Sequence, residues 1–258
     1  MSADIDTITQ NQLIAVSASR LLKDNKVVFA GVGMPLIAAV VAKGLHAPNL
    51  TIVLEGGIVG PNIAPGQLPV STNEMRCAPQ AGMLTSITDI FLLGQRGYYD
   101  YGFLGTAQVD QFGNINTSII GDHDAPSVRL PGTGGANDIA TSCREVFIVT
   151  THEKRRFIES VDFNTSPGWL GGGSQRADAG LPLGGPSTVI TNLARFNFDE
   201  DSRRMVLTGL QARVTIDEVQ ENTGFEVIPA ADVEQLAAPT EQEIAMVRHI
   251  DPDGDFTG

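Results

Sequence analysis

The stretch from residue 27 to residue 54 constrains the fold more than any other part of the chain. VVFA (27–30) is a short apolar run typical of a buried strand, and GVGMP follows it as a tight turn. LIAAVVAKGL then has the composition of a helix, and Pro35 suits a first turn, where no N–H partner is needed. TIVL (51–54) is the next strand. A strand, a helix and a second strand in this order predict an α/β fold with a parallel sheet and a right-handed crossover.

The rest of the chain continues this pattern. Further helices are predicted for QLIAVSASRLL (12–22), SITDIFLLGQ (86–95) and EQEIAMVRHI (241–250). Further strands are predicted within FLGTAQV (103–109), VFIVTT (146–151) and STVITNLARFNF (187–198). RRMVLTGL (203–210) is expected to pair back across the acidic turn DEDS. We find no internal repeat and no linker long enough to divide the chain, and therefore predict a single domain over residues 1–258.

Charge and composition limit the partners and the compartment. The chain has 17 basic and 30 acidic side chains, a net charge of −13, so its long-range field repels nucleic acid. The longest apolar run, MPLIAAVVA, is far shorter than the ~20 residues of a membrane helix. Cys77 and Cys143 lie far apart without metal-ligand spacing, so we predict no metal site and no disulfide framework. Because the N-terminus also lacks a signal-peptide pattern, we expect a cytoplasmic protein.

The longest irregular segment is NTSPGWLGGGSQRADAGLPLGGP (164–186), which is dense in glycine and proline. Irregular segments of this length are usually either functional or disordered. Two alternatives stay open at this point: the segment orders against a partner or ligand, or it is a floppy surface loop.

A dinucleotide-binding interpretation of Glu55 is considered first. A strand, GVG, a helix, a strand and then an acid about 20 residues on outline the Rossmann fingerprint, in which Glu55 would bind a ribose. Gly31 and Gly33 match the first two glycines of that fingerprint. The third falls at Leu36, where a bulky side chain obstructs the close packing that glycine permits. The fingerprint is therefore incomplete.

A second interpretation makes Glu55 a nucleophile. Ligands bind at the carboxyl ends of strands in open α/β sheets, and Gly56 and Gly57 would let a reacting carbonyl approach closely. An ionised carboxylate needs no general base, but it does need an activated acyl group and donors for the developing oxyanion. RLPGTGGANDIA (129–140) could provide such donors, since glycines that lead into a helix expose N–H groups. An ordinary turn before a helix is the alternative for that segment.

Eight segments in order resemble the β subunit of family I CoA-transferases. They are VVFAGVGMPLIAA, TIVLEGG, GTAQVDQFGNINTS, IGDHDAP, GTGGANDIA, THEKRRF, DFNTSPGW and ENTGFEV. The resemblance covers nearly the whole chain. It implies an open, mostly parallel α/β sheet flanked by helices, of the CoA-transferase (NagB/RpiA-like) superfamily. It also implies a separate α subunit, in an α2β2 or larger assembly, without which this chain is inactive.

The same resemblance implies a mechanism and a set of site residues. Glu55 matches the glutamate that attacks the acyl-CoA, so that a glutamyl-CoA thioester forms on the enzyme. Coenzyme A enters as a thioester substrate, and no permanently bound cofactor, ATP or metal is required. Some relatives use an asparagine donor where this chain has Phe29. The residues expected at the oxyanion or CoA are Gly134, Gly135, Gly31, Gly33, Gly56 and Gly57.

Two rival functions are compatible with this fold. Relatives of the subunit include an acyl-CoA hydrolase and a decarboxylase, although retention of Glu55 favours transfer. A non-catalytic ligand-binding module is the other rival.

Weaker candidates each have a plainer structural interpretation. Lys154, Arg155 and Arg156 are expected to meet CoA phosphates, a partner's acidic face or only solvent. The remaining candidates are expected to serve hydrogen bonding, turn geometry or packing, and Trp169 is also a candidate for the mouth of the site: His123, His152, Asn114, Asn116 and Trp169.

Overall fold

The computed structural model describes residues 2–181 and 183–258, and the chain groups into two compact units. The first comprises Met1–Leu104, Ser142–Arg144 and Ala238–Gly258. The second comprises Gly105–Thr141 and Glu145–Ala237. A single domain over residues 1–258 therefore stays a prediction.

The described residues form α-helices that are separated by single strands or by runs of strands. The α-helices are α1 (Gln10–Ser19), α2 (Met34–Leu45), α3 (Ile87–Gln95), α4 (Ala136–Ser142), α5 (Gln175–Asp178), α6 (Ile216–Glu221) and α7 (Glu241–Ile250). The first strands are β1 (Val27–Phe29), β2 (Thr51–Leu54), β3 (Ile58–Val59), β4 (Met83–Leu84), β5 (Tyr101–Leu104), β6 (Gln108–Val109) and β7 (Ile115–Asn116). The others are β8 (Ile119–Ile120), β9 (Val128–Arg129), β10 (Glu145–Val149), β11 (Pro186–Ile190), β12 (Ala194–Phe198), β13 (Met205–Leu210) and β14 (Ile228–Gln235).

The first unit contains the predicted strand, helix and strand. Its strands lie in the order β5-β1-β2-β3-β4. β1 pairs in parallel with both β2 and β5, whereas β3 and β4 add antiparallel pairs beyond β2. The register aligns Phe29 with Val53. The carboxyl ends of β1 and β2 therefore meet at one edge of the sheet.

Helices α1, α2 and α7 pack against one another in this unit. Thr9 begins α1 and Thr240 begins α7, each with a capping box that satisfies end N–H groups. Ile14 and Leu36 are completely buried. Burial of an aliphatic side chain of this size contributes about 1.5–3 kcal/mol, so this packing helps to hold the turn between β1 and α2 in place.

The second unit has the strand order β14-β13-β12-β11-β10. β10 and β11 are parallel, as are β13 and β14, and β12 pairs antiparallel with both of its neighbours. The predicted return of RRMVLTGL across the acidic turn is confirmed by the β12–β13 pair. FLGTAQV is not one strand, because β5 ends at Leu104 and Gln108–Val109 pairs with Ile115–Asn116 instead.

These strands and helices confirm the predicted α/β fold with parallel strand pairs and flanking helices. Among the described residues, no helix is long and apolar enough to cross a membrane.

Candidate active site

Glu55 follows directly after β2 and begins a tight hairpin. Leu54 pairs with Ile58 across the β2–β3 ladder, so Glu55, Gly56 and Gly57 form the loop. The Gly57 N–H donates to the Leu54 carbonyl at 3.1 Å, and the Thr85 N–H donates to the Gly57 carbonyl at 2.8 Å. Gly57 has a φ of 99°, which a glycine adopts without strain at the end of such a loop. The sequence thus places a half-buried carboxylate on a firmly held turn.

The two glycines of this loop are packed by the chain itself. A Cβ on Gly56 would lie 2.6 Å from Asn73 Oδ1 and would also overlap the Thr72 carbonyl. A Cβ on Gly57 would overlap the Thr85 carbonyl. On the side where a Cβ would stand, these glycines leave room for the chain's own backbone and for Asn73. That they also admit a ligand stays a prediction. The Gly57 N–H is likewise engaged by Leu54 rather than turned to an oxyanion.

Gly31 and Gly33 lie in the turn between β1 and α2. Gly31 stands two residues beyond Phe29, as Glu55 stands two beyond Val53, so both follow the same edge of the parallel pair. Apart from its two chain neighbours, none of the described residues has an atom within 4 Å of the place where a Cβ on Gly31 would stand. Gly33 caps α2 with a φ of 76°, which favours glycine. Gly31 thus leaves open space at the edge that carries Glu55.

Gly134 and Gly135 belong to the second unit, in the loop before α4. Gly134 is exposed with a φ of 48°. In the described part of the chain, its two neighbours aside, no atom lies within 4 Å of the place where a Cβ would stand. The Gly135 carbonyl accepts the Ile139 N–H at 3.0 Å, which makes Gly135 part of the first helical turn. The structure therefore gathers five of the predicted site residues in the first unit and two in the second.

Phe29 supplies no polar group to the site. Its ring stacks on Phe91 with centroids 6.2 Å apart and meets Tyr99 edge-on at 5.4 Å. The Tyr99 hydroxyl donates to the Ile90 carbonyl at 2.6 Å, and burial raises the pKa of that hydroxyl. Phe29 thus belongs to a cluster of aromatic core residues. Any side-chain donor for an oxyanion must come from another position.

The basic run after β10 forms local ion pairs. Glu153 binds Arg155 at 2.5 Å and Arg156 at 3.2 Å, and the hydrogen bonds from Arg155 above all lower the pKa of Glu153 to about 2. Arg156 also donates to the Thr106 carbonyl. Lys154 is exposed. Two of the three cations are thus engaged within the run itself.

Asn114 and Asn116 are buried and organise turns, as predicted. Asn114 donates to the Asp110 carboxylate at 2.8 Å and accepts from Gly168 N–H at 2.9 Å. Asn116 donates to the Ile119 carbonyl. His123 is exposed beside Asp124.

His152 is a buried structural histidine. Its ring stacks on Phe157 with centroids 4.0 Å apart, and its two nitrogens lie 3.1 Å and 3.0 Å from the hydroxyls of Thr191 and Thr223. Burial lowers the pKa of His152 to about 3. The folded protein therefore holds this imidazole neutral.

This depressed pKa predicts a loss of stability in acid. Below pH ~6.5, His152 of the unfolded chain binds a proton, whereas His152 of the folded chain stays neutral until the pH approaches 3. The contribution of neutral His152 to the free energy of unfolding is fully present above pH ~6.5. It is lost as the pH falls towards 3, by up to about 1.4 kcal/mol per pH unit. Urea unfolding at pH 7.5 and pH 5 should show a larger loss for the wild type than for His152→Gln. His249→Gln, at an exposed position of α7, should match the wild type, and equal losses in all three proteins would contradict the assignment.

Two features beside Glu55 have no recognisable signal in the sequence. Asn73 lies in the polar segment STNE, and Thr85 lies in TSITD. Neither segment has a sequence pattern that predicts a position beside Glu55. Their contacts with the Glu55 loop arise only from the fold.

Comparison with known proteins identifies the class. Residues 11–222 match the protein family described as Coenzyme A transferase. The chain belongs to the coenzyme A transferase family. Within that family it is a β subunit, the type of chain that the sequence resemblance predicted.

The similar proteins cover nearly the whole chain. The β subunit of the 3-oxoadipate CoA-transferase of Pseudomonas knackmussii is 40% identical over 93% of this chain and 92% of its own length. The β subunit of the glutaconate CoA-transferase of Acidaminococcus fermentans is 36% identical over 97% of this chain and 95% of its own length. The crystal structure of glutaconate CoA-transferase from that organism superposes with a TM-score of 0.91, at 33% identity and with 99% of each chain covered.

Proposed function

We propose that this chain, as the β subunit of a heteromeric CoA-transferase, moves CoA between an acyl-CoA and a small carboxylic acid by a covalent route through Glu55. The observation that carries this proposal is the position of Glu55. Its carboxylate follows a parallel strand, stands level with the open space at Gly31 and is held by a hydrogen-bonded loop. Ligands of open α/β sheets bind at this edge.

The proposed reaction balances without a proton, an oxidant or a metal. A Glu55 oxygen attacks the thioester carbon, the new C–O bond forms, and the C–S bond breaks with its electron pair leaving on the CoA thiolate. The thiolate then attacks the Glu55 carbonyl carbon and releases the acyl group as a free carboxylate. An acceptor carboxylate reverses both steps on the glutamyl-CoA thioester and leaves as the new acyl-CoA.

The remaining parts of the site follow from the same chemistry. The tetrahedral oxyanion needs N–H donors, and we assign this role to the backbone of Gly134, which is exposed, and of Gly135, which is buried. The partner is an α subunit, in an α2β2 or larger assembly. Both relatives are named for dicarboxylic acids, which supports a small dicarboxylate as donor or acceptor.

Three other functions on the same fold can be distinguished from CoA transfer. A hydrolase would release free CoA without needing an acceptor acid, and a decarboxylase would release carbon dioxide. A non-catalytic module would bind acyl-CoA without turnover. Only the transferase must form a thioester on the enzyme that persists until an acceptor arrives.

Chemical trapping tests the proposal directly. The chain is purified with its α subunit, incubated with acyl-CoA in the absence of acceptor, and treated with hydroxylamine or borohydride, which attack enzyme thioesters. Mass spectrometry is expected to find the modification on Glu55, and less of it when an excess of a carboxylate acceptor is added first. Turnover without any modification of Glu55 would refute the covalent route.

A further inference from the structure

The residue after Glu55 is in close contact with Asn73. The Cα of Asn73 lies 2.7 Å from the place where a Cβ on Gly56 would stand, and its Oδ1 lies 2.6 Å from that place. Only glycine leaves room for this contact. Asn73 therefore packs against the loop that carries the nucleophile.

The turn that carries Asn73 is well fixed. The Val70 N–H donates to the Glu74 carboxylate at 3.0 Å, and the Glu74 N–H donates to the Ser71 carbonyl at 3.2 Å. The next turn continues with the Cys77 N–H donating to the Glu74 carbonyl, and Cys77 is buried. Asn73 thus sits on a hydrogen-bonded, anchored turn.

Most polar donors around the loop are already engaged. The Gly57 N–H bonds to Leu54, and the Thr85 N–H bonds to Gly57. The hydroxyls of Thr85 and Ser86 both donate to Asp89, at 2.7 Å and 2.8 Å. None of these groups can turn to a ligand without breaking an existing bond.

The Asn73 amide is different. Its side chain is exposed, and it makes no hydrogen bond to any residue in the described ranges 2–181 and 183–258. Its Oδ1 faces Gly56, which leaves the Nδ2 protons for another partner. An amide N–H₂ can donate to a ligand oxygen that approaches it beside this loop.

We propose that Asn73 is a catalytic residue whose side-chain amide donates to the carbonyl oxygen of the acyl group that Glu55 attacks. This inference rests on the proposed function. As the C–O bond to Glu55 forms, the carbonyl electron pair moves to that oxygen, and the Asn73 N–H stabilises the charge until the C–S bond breaks. A donor carried by an anchored turn needs little backbone reorganisation when the charge develops.

The test is single-turnover acylation of Glu55 in the complete enzyme. Removal of one oxyanion donor costs about 10²–10³-fold in rate. Asn73→Ala is expected to slow adduct formation and kcat by at least about 10²-fold, with the KM for acyl-CoA within about twofold of the wild type. Asn73→Asp should be at least as slow, since a carboxylate cannot donate and repels the oxyanion.

Asn62→Ala is the matched control, because Asn62 is also exposed between β3 and β4 but donates to Gln80. It should react at the wild-type rate. All variants should assemble with the α subunit and melt within a few degrees of the wild type. If Asn73→Ala forms the adduct at the wild-type rate, or loses rate only with loss of assembly, this inference is overturned while the proposed function stands. If the wild type itself forms no adduct, the proposed function and this inference both fail.

Discussion

Replacement of Glu55 by glutamine is expected to abolish CoA transfer while leaving the fold intact. The amide is nearly isosteric with the carboxylate, so the loop held by Leu54 and Thr85 should persist. An uncharged amide cannot form the anhydride that begins the reaction. Removal of a covalent nucleophile costs up to roughly 10⁶-fold in kcat. We therefore expect activity in the complete enzyme to fall by at least about 10³-fold, measured as acyl-CoA formed in the presence of an acceptor acid.

Two further variants sharpen this result. Glu55→Asp keeps the charge but withdraws the carboxylate by one methylene, and misplacement of a reacting group by about 1 Å can cost ~10²-fold. It should therefore lie between the wild type and Glu55→Gln. Glu241→Gln, on the exposed first turn of α7, removes the same charge away from the loop and should leave kcat unchanged. Wild-type activity in Glu55→Gln would exclude a covalent role for this residue and leave only the fold assignment.

The position of Glu55 could be predicted because its signals are local. The apolar runs VVFA and TIVL, separated by one helix, specify adjacent parallel strands. The observed register, with Phe29 opposite Val53, then brings Gly31 and Glu55 level at the carboxyl edge. No long-range contact had to be guessed to reach this part of the site.

The surroundings of that carboxylate could not be predicted in the same way. β3 and β4 have two residues each, too short to show an alternation of polar and apolar side chains. They nevertheless bring Thr85 onto the Glu55 loop, and the turn at Asn73 packs against Gly56. The letters LEGG predict a turn of small residues. They do not predict which segments pack where the glycines lack a Cβ. The same limit applies to β14, whose residues are mostly exposed and carry no buried stripe.

The glycine-rich segment 164–186 shows how one residue can organise an irregular stretch. The sequence left open whether it is floppy or ordered by a partner. Arg176 is 2% exposed, and its guanidinium donates to the carbonyls of Pro167, Gly168, Ala140 and Leu183 at 2.6–3.0 Å. Trp169 lies against the same cation and donates to the Pro186 carbonyl at 2.9 Å. The chain's own arginine thus links distant parts of this segment.

Arg176 is also unusual because its cationic side chain is buried. Among the described residues no carboxylate forms an ion pair with it, and its Nε has no hydrogen-bond partner. Burial lowers the pKa of Arg176 to about 10, so the group remains charged at neutral pH. Four carbonyl dipoles stabilise the guanidinium, where a buried cation is more often paired with a carboxylate. The cost of desolvating the cation is therefore offset by its hydrogen bonds to these four carbonyls.

Arg176→Ala is accordingly expected to be strongly destabilising. It leaves four carbonyls without their donor, and each abandoned buried group costs about 1–3 kcal/mol unless water reaches it. We expect a loss of about 3–5 kcal/mol in the free energy of unfolding, a large part of the ~5–15 kcal/mol typical of a folded protein. Arg176→Lys keeps the charge, but a compact ammonium lacks the planar fork and should recover only part of the loss. Urea unfolding measures both variants, with Arg129→Ala on exposed β9 as the control. An unfolding midpoint for Arg176→Ala close to that of the control would mean that the glycine-rich segment is held by its backbone turns alone.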